Sequence, residues 1–345
     1  MAITLFDSTK PLTRHNDYTE TVIQLKPEEL VIMNHLKRAY PGFGSVGAWK
    51  RTNELAGKQK KNYSAVAEGT DKTSGFSMRE NQLVESMIEV GHSNGYAITR
   101  EALKLNKAHI KSNLLDTLID QDADDFARSI EHVIGSRQEC VDRGTSTTVT
   151  KTRGLMCWLQ PGAHTVLPIA DGFRPATEIS LAANQTLSED AFKAALAAAR
   201  KHAGHALNLT GFVGLDAKIA FADFLAKIDT TSSLRRAVDY KAKEVFSQVD
   251  FLRYDAGMVT LVPCDGIDCD TTTLEPTTTS GMSGAFIELD NFQLEFAEPI
   301  THEDLSGKTD KGSGKKGWHH AMFRLNCTGL LGSFRMIKAA ATTAS

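Results

Sequence analysis

NGYAITREALKLNKAHIKSNLLDTLIDQDADDFARSIEHVIGSRQECVDR, residues 94–143, is the longest helical pattern in the chain. Apolar residues fall at Leu103, Leu105, Ile110, Leu114, Leu115, Leu118, Ile119, Phe126, Ile130, Val133 and Ile134. Steps of three, four and seven dominate, so one face is apolar and the rest is wet. Thr99 is placed to cap the start, with Glu101 in the first turn. Gly144 is placed to stop it, with Arg137 and Arg143 near the end, and Gly135 offers an earlier stop or bend. A continuous helix would be roughly 60 Å long at about 1.5 Å per residue, against a usual length of about 11–12 residues. The stretch carries little chemistry and reads as a structural spine. Between Lys111 and Arg128 stand Asp116, Asp120, Asp122, Asp124 and Asp125, with no basic residue. The spacing is near that of a calcium loop but lacks its central Gly and terminal Glu. A solvated or subunit-facing acidic surface fits better.

The 345 residues can build one large domain or two lobes. Charged residues make up 23% and the net charge is −3, so no global basic bias points to nucleic acid. No apolar run is long enough to cross a membrane as a helix, and the first residues are too polar for a signal peptide. Cys140, Cys157, Cys264, Cys269 and Cys327 are odd in number and loosely spaced, which argues against a disulfide framework and for a reducing compartment.

Around the spine the pattern is mixed. Residues 25–40 hold one short helix, with Pro27 near its first turn. Residues 48–80 are polar and, at Lys50, Arg51, Lys58, Lys60 and Lys61, basic; they suit a projecting two-stranded loop that a neighbour stabilises. Residues 81–93 are extended. After the spine, Gly154–Gln160 is a compact apolar block. Ser188–His202 is a helix capped by Ser188, or by Thr186 with Glu189, and ended by Gly204. A buried strand at Leu207–Val213 and a helix near 215–228 follow. Two strands joined at Asp255–Gly257 form a hairpin, and a second hairpin is expected around Asp290–Asn291. The final strands span Trp318–Ile337. This order is α+β, not an alternating parallel series.

Candidate chemistry is thin. The loop GKTDKGSGKKG (307–317) has Gly307 and Gly312 at Walker spacing, but Ser313 stands where the Lys belongs. Gly211 and Gly214 lack the third Gly of a dinucleotide fingerprint. His319 and His320 have no ligand-type neighbour in sequence. His202 and His205 sit near a helix end, where a cation suits the dipole. Cys264 and Cys269 lack a second pair, and Asp265, Asp268 and Asp270 suit a solvated loop or, at most, a weak cation site. No residue is assigned a catalytic, cofactor-binding or metal-binding role.

Four stretches together resemble the major capsid proteins of tailed double-stranded DNA phages, in the group without a long N-terminal scaffolding domain. They are RENQLVESMIEVGHS (79–93), ARSIE (127–131), TRGLMCWL (152–159) and FIELDNFQLEFAEPITHEDLSGKTDKGSGKK (286–316). Their order and spacing carry the resemblance over roughly residues 60–337. The chain departs from the pattern at Ser129, where the family has an acidic residue, and at 306–310, where an Ala and a Gly are lost. The resemblance implies a Hong Kong 97-type fold: an N-terminal arm (1–47), an extended loop (48–92), a peripheral domain with the spine helix (93–150), an axial domain (151–270), and a late β part with the tail (271–345). It implies a non-enzymatic subunit that assembles with itself into pentamers and hexamers around packaged DNA, without a cofactor or a membrane. Portal, scaffold and decoration proteins are further partners of such a subunit, and the virion is its place. A nanocompartment shell of the same fold and a soluble α+β enzyme with dispersed catalytic residues are the alternatives.

Overall fold

The structure, a computed structural model, describes residues 30–39, 50–58, 81–99, 101, 114–142, 149–226, 250–305 and 314–339. The basic residues Lys60 and Lys61, the 307–313 part of the glycine-rich loop, the Gly144 stop and most of the arm lie outside them.

The first described elements are helix α1 (Val31–His35), strand β1 (Lys37–Ala39), strands β2 (Lys50–Ala56) and β3 (Asn81–Met87), then β4 (Glu89–His92) and β5 (Tyr96–Ile98). β2 and β3 pair antiparallel as a two-stranded sheet, so the partner of Lys50–Ala56 is the extended stretch Asn81–Met87 rather than a second strand within 48–80. The spine helix α2 runs Leu114–Gly135. Ahead of the expected cap at Thr99, Tyr96–Ile98 is a strand, because Gly95 takes a left-handed turn (φ 70°) that delivers the chain to the edge of a later strand. Glu101, expected in the first helical turn, is helical. At the far end the helix stops at Gly135, ahead of Arg143, for a reason of packing described below.

Behind the spine lie the short helix α3 (Leu155–Trp158), β6 (Glu178–Leu181), α4 (Glu189–Ala203), β7 (Leu207–Val213) and α5 (Leu215–Ala226). The cap of α4 is Ser188 alone, whose hydroxyl accepts from the Ala191 N–H at 3.2 Å, and Gly204 ends the helix with φ 82°. The chain closes with β8 (Phe251–Tyr254), β9 (Gly257–Pro263), β10 (Gly284–Ile287), β11 (Phe292–Asp304), β12 (Lys315–Cys327) and β13 (Phe334–Lys338). β8 and β9 form the expected hairpin.

The second expected hairpin is not one. β10 belongs to a six-stranded sheet of order β6-β13-β10-β7-β9-β8, whereas β11 belongs to a five-stranded sheet of order β1-β11-β12-β4, with β5 also on β12. Asp290–Asn291 is a single 3₁₀ turn by which the chain crosses between sheets. Asn291 is held there from both sides: its N–H donates to Glu288 O and its carbonyl accepts from Thr328 N–H. No Gly follows to supply the positive φ that a tight hairpin turn needs. The true hairpin is β11–β12, thirteen residues on each strand and broken by bulges near Glu298.

Two hydrophobic cores follow from this split. One gathers Phe126, Ile130, Val133 and Ile134 of the spine with Ile32 and Met33 of α1, Trp158 of α3, and Leu294, Phe323 and Leu325 of the long hairpin. The other lies between the six-stranded sheet and α4 and α5, where Phe192, Phe221, Phe286 and Phe334 meet. Phe286 and Phe334 stack at 4.7 Å and Phe192 meets Phe221 edge-on at 4.9 Å. Gly211 is there for closeness: a Cβ would fall 2.7 Å from the Phe286 ring. Packing, not nucleotide binding, explains that glycine.

Candidate functional site

Most of the described residues that bear charge inside the fold are gathered at four junctions; Arg335 on β13, paired with Glu178 on β6 at 2.9 Å, stands apart from them. In the first, Glu131 on the spine is only 4% exposed and its carboxylate accepts the N–H groups of Ile32 (3.1 Å) and Met33 (3.4 Å). These are donors of the first turn of α1, which have no partner inside that helix. Burial pushes the Glu131 carboxyl up from its ordinary range, and the backbone donors pull it back. Glu131→Ala should therefore strand two buried N–H groups and cost about 2 kcal/mol. Urea denaturation of the purified chain checks it; an unchanged midpoint would mean that α1 is held by its apolar face alone.

The second junction ends the spine. The Gly135 carbonyl accepts from Asp268 N–H at 3.0 Å. Asp268, which the sequence suggested for a weak cation site, is 1% exposed and forked by Arg137, whose Nη2 lies 2.6 Å from Oδ2, with Ser283 Oγ at 2.5 Å. Its acceptors are taken by the protein. Asp270 is likewise used up in a turn: the N–H groups of Thr273 and Thr272 hold its carboxyl below the ordinary range.

The third junction anchors the two-stranded sheet. Arg324 on β12 donates from Nε to Glu295 (2.6 Å), from Nη1 to Ser86 Oγ (2.6 Å) and from Nη2 to Asn53 Oδ1 (3.1 Å). Asn326 completes it with a bond to the other Glu295 oxygen at 2.9 Å.

The fourth junction lies just past the spine. Arg153, 1% exposed, reaches Glu139 Oε1 at 2.8 Å and stacks 4.6 Å over the Trp158 ring. Glu139 Oε2 faces Cys157 Sγ at 3.6 Å and His164 Nδ1 at 3.5 Å. Burial alone raises the Glu139 carboxyl, but the His164 hydrogen bond and the Arg153 charge outweigh it and hold the group at about 2. Burial pushes the Cys157 thiol up to about 12 and Cys140 up to about 11. Nothing in the sequence reading assigned this cluster; the only signal was a Cys and a His seven residues apart beside a Glu–Cys pair.

The Glu139 shift fixes a pH dependence. Its folded value lies below its ordinary 4.5, so its ionisation stabilises the fold above pH 4.5, and that contribution is lost as pH falls toward 2. Glu89, raised by burial despite bonds from Thr152 N–H and Gln138, acts in the opposite sense, as does Glu131. The Glu139 part is isolated by difference: Glu139→Gln should flatten the acid limb of stability between pH 4.5 and pH 2. Parallel slopes for the two proteins in that window would show the pair to be inert.

The remaining candidates are placed as follows. His319 and His320 point to opposite faces of β12, the first to Asp122 (2.7 Å) and the second to Glu298 (3.0 Å). Asp122, part of the acidic flank, is thus turned inward, while Asp116, Asp120, Asp124 and Asp125 are exposed. His205 meets Glu288 at 2.8 Å. Burial lowers His202 from its ordinary value, so the neutral ring is favoured and the helix-end cation expected there is not. All five cysteines are buried and unpaired; Cys264 and Cys269 do not form a four-ligand set. No described helix is long and apolar enough to cross a membrane.

A long spine helix packs against the five-stranded sheet, Glu131 on it holds Val31–His35, and Arg324 of β12 holds the β2–β3 pair; this architecture is that of solved phage capsid subunits. The capsid of cyanophage P-SCSP1u has the same fold, with a TM-score of 0.59 at 10% identity over 96% of this chain and 94% of that one. The capsid subunit of cyanophage A-1(L) gives 0.59 at 11% identity, covering 94% and 96%, and Gordonia phage Cozz gives 0.56 at 12% identity, covering 97% and 93%. The sequence itself matches over residues 3–317, and on that match the chain belongs to the SU10 major capsid protein family. The match reaches further toward the N-terminus than the four resembling stretches did. No curated protein matches it in sequence. Its function is that of a major capsid protein, which sets aside the enzyme and nanocompartment readings.

Proposed function

We propose that the chain self-assembles into pentamers and hexamers that close into an icosahedral shell around phage DNA. The observation that carries this is the sharing of one fold, nearly end to end, with subunits of solved phage capsids. In this reading residues 1–47 are an arm, 48–92 an extended loop, 93–150 with the late β part a peripheral domain, and 151–270 an axial domain at capsomer centres. Strand pairing favours adding Gly284–Ile287 and Phe334–Lys338 to the axial unit, since both pair within its sheet. The protein acts without catalysis or cofactor, forms in the host cytoplasm and ends in the virion. Its inner face meets packaged DNA without sequence preference, and portal, scaffold and decoration proteins are its further partners.

Expression of the full chain alone, followed by size-exclusion chromatography and negative-stain microscopy, tests this. Closed shells or capsomer rings are expected; a stable monomer at high concentration would refute self-assembly. Nuclease-protected DNA in particles from infected cells separates a genome shell from one built around protein cargo.

The extended loop gives a finer test. Its basic residues Lys58, Lys60 and Lys61 are read as lying over the exposed acidic flank of a neighbouring spine. One exposed pair contributes only about 0–1 kcal/mol, but a closed shell repeats it many times. Changing all three to Glu should lower the yield of closed particles at physiological salt. Normal assembly of that variant would sink the pairing.

A further inference from the structure

The fourth junction contains more than an ion pair needs. Glu139 Oε2, Cys157 Sγ and His164 Nδ1 form a triangle with edges of 3.6 Å (Cys157–Glu139), 3.8 Å (Cys157–His164) and 3.5 Å (His164–Glu139). A tetrahedral ion of the zinc class, bound at about 2.3 Å by sulfur and about 2.0–2.2 Å by nitrogen and oxygen, sets ligand–ligand edges of about 3.3–3.6 Å. The observed triangle is that of a tetrahedral face to within a few tenths of an ångström. Among the described residues it is the one group of three or more such side chains so converged.

The plain alternative is a buried Arg153–Glu139 pair with two thiols as packing. It does not explain why three ligand-type atoms converge on one point, with the His164 side chain fully buried among them.

We propose that Glu139, Cys157 and His164 bind a divalent cation of the zinc class, with Cys140 as the fourth ligand. Cys140 Sγ stands beside the triangle, 3.6 Å from the other Glu139 oxygen and 3.3 Å from Arg153 Nη2, and turns away from those partners to complete the set. Charge favours the full set. The cation and Arg153 together carry three positive charges, and Glu139 with two thiolates carries three negative ones, so the buried cluster is neutral. Each thiol gives its proton to solvent on ligation, and binding therefore strengthens as pH rises. The ion joins the segment leaving the spine (Glu139, Cys140), the short helix α3 (Cys157) and the loop after it (His164). It staples the spine's exit to α3 and the loop that follows it. Because Cys140, Cys157 and His164 are buried, it enters as the chain folds.

The test uses the full chain produced in zinc- and in cobalt-supplemented medium. After gel filtration, metal content and the absorption spectrum are recorded. One ion per chain is expected, with the cobalt form showing tetrahedral ligand-field bands and thiolate-to-cobalt charge transfer. Cys157→Ser and His164→Gln should abolish binding, Cys140→Ser should weaken the charge-transfer band, and Cys264→Ser, a buried thiol elsewhere, should leave both unchanged. Folded wild-type chain that carries no cobalt overturns the proposal, whatever the variants do. So does cobalt that survives undiminished in Cys157→Ser with His164→Gln. If those variants do not fold, X-ray absorption on the wild-type cobalt form still decides: a shell containing sulfur and imidazole is required, and one of oxygen alone refutes it.

Discussion

Gly135→Ala should destabilise the subunit by about 3 kcal/mol or more, against what helix propensity alone says. Alanine in a helix is better than glycine by about 1 kcal/mol, and Gly135 has no positive φ to excuse it. The contact decides the sign. A Cβ at Gly135 would lie 1.9 Å from the Gly266 carbonyl oxygen, 2.9 Å from its carbon and 3.1 Å from Ile32 Cδ1. The first two are backbone atoms, which have no rotamer to move into. If the 264–270 loop backs away, the Gly135 carbonyl loses its bond from Asp268 N–H. The Arg137–Asp268–Ser283 cluster shifts with it. The strain therefore adds to a lost helix end. Thermal or urea unfolding of the purified variant reads this, with Gly172→Ala as control, since nothing lies within 4 Å of a Cβ there. A variant as stable as wild type would show that the loop is free to move and that the spine does not end at Gly135 for lack of room.

How far the sequence could be read depended on how local the information was. Ser188, the Ala-rich face and Gly204 bound α4 within its own sixteen or so residues, and the structure agrees at both ends. The spine's apolar stripe was visible, and so was Gly135 as an early stop. Its reason was not, because Gly266 is distant in sequence. The same holds for the junctions. Glu131 meets Ile32 across 99 residues, and Arg324 meets Asn53 across 271. Periodicity says that Arg324 and Asn326 share a face of β12; it does not say which strand faces them. The misread hairpin at Asp290–Asn291 is the same failure. Two short apolar strands with two polar residues between them look alike whether they pair or part, and the partners that separate them, β13 and β12, come later in the chain. The candidate cation loop at Asp265–Asp270 was a composition signal, and the structure spends the Asp268 carboxylate on Arg137 and Ser283 and the Asp270 carboxylate on turn amides.

Arg324→Met should cost about 3–5 kcal/mol, because it removes one partner of a buried charge pair and leaves the other behind. Arg324 is 4% and Glu295 8% exposed. Burial pulls the guanidinium down from its ordinary value, and the Glu295 carboxylate is what offsets this. Methionine fills much of the space but returns none of the donors, so Glu295 keeps only Asn326 at 2.9 Å and the longer Arg51 contact at 3.8 Å, and Asn53 and Ser86 lose their link to β12. The variant should also free the two-stranded sheet of β2 and β3, and protease should then cut within Lys50–Met87 sooner than it does in wild type. Arg324→Lys should rescue little, since one ammonium cannot reach Glu295, Ser86 and Asn53 together as a planar guanidinium does. The double variant Arg324→Met with Glu295→Leu should be more stable than the sum of its parts by about 0.5–3 kcal/mol, because it removes both charges. Full rescue by lysine would mean that charge alone matters here. Additive single effects would mean that the pair is not coupled. Either result would take away the reason to think that this residue, rather than the apolar contacts of Leu55 and Val84, holds the β2–β3 pair to the body of the subunit.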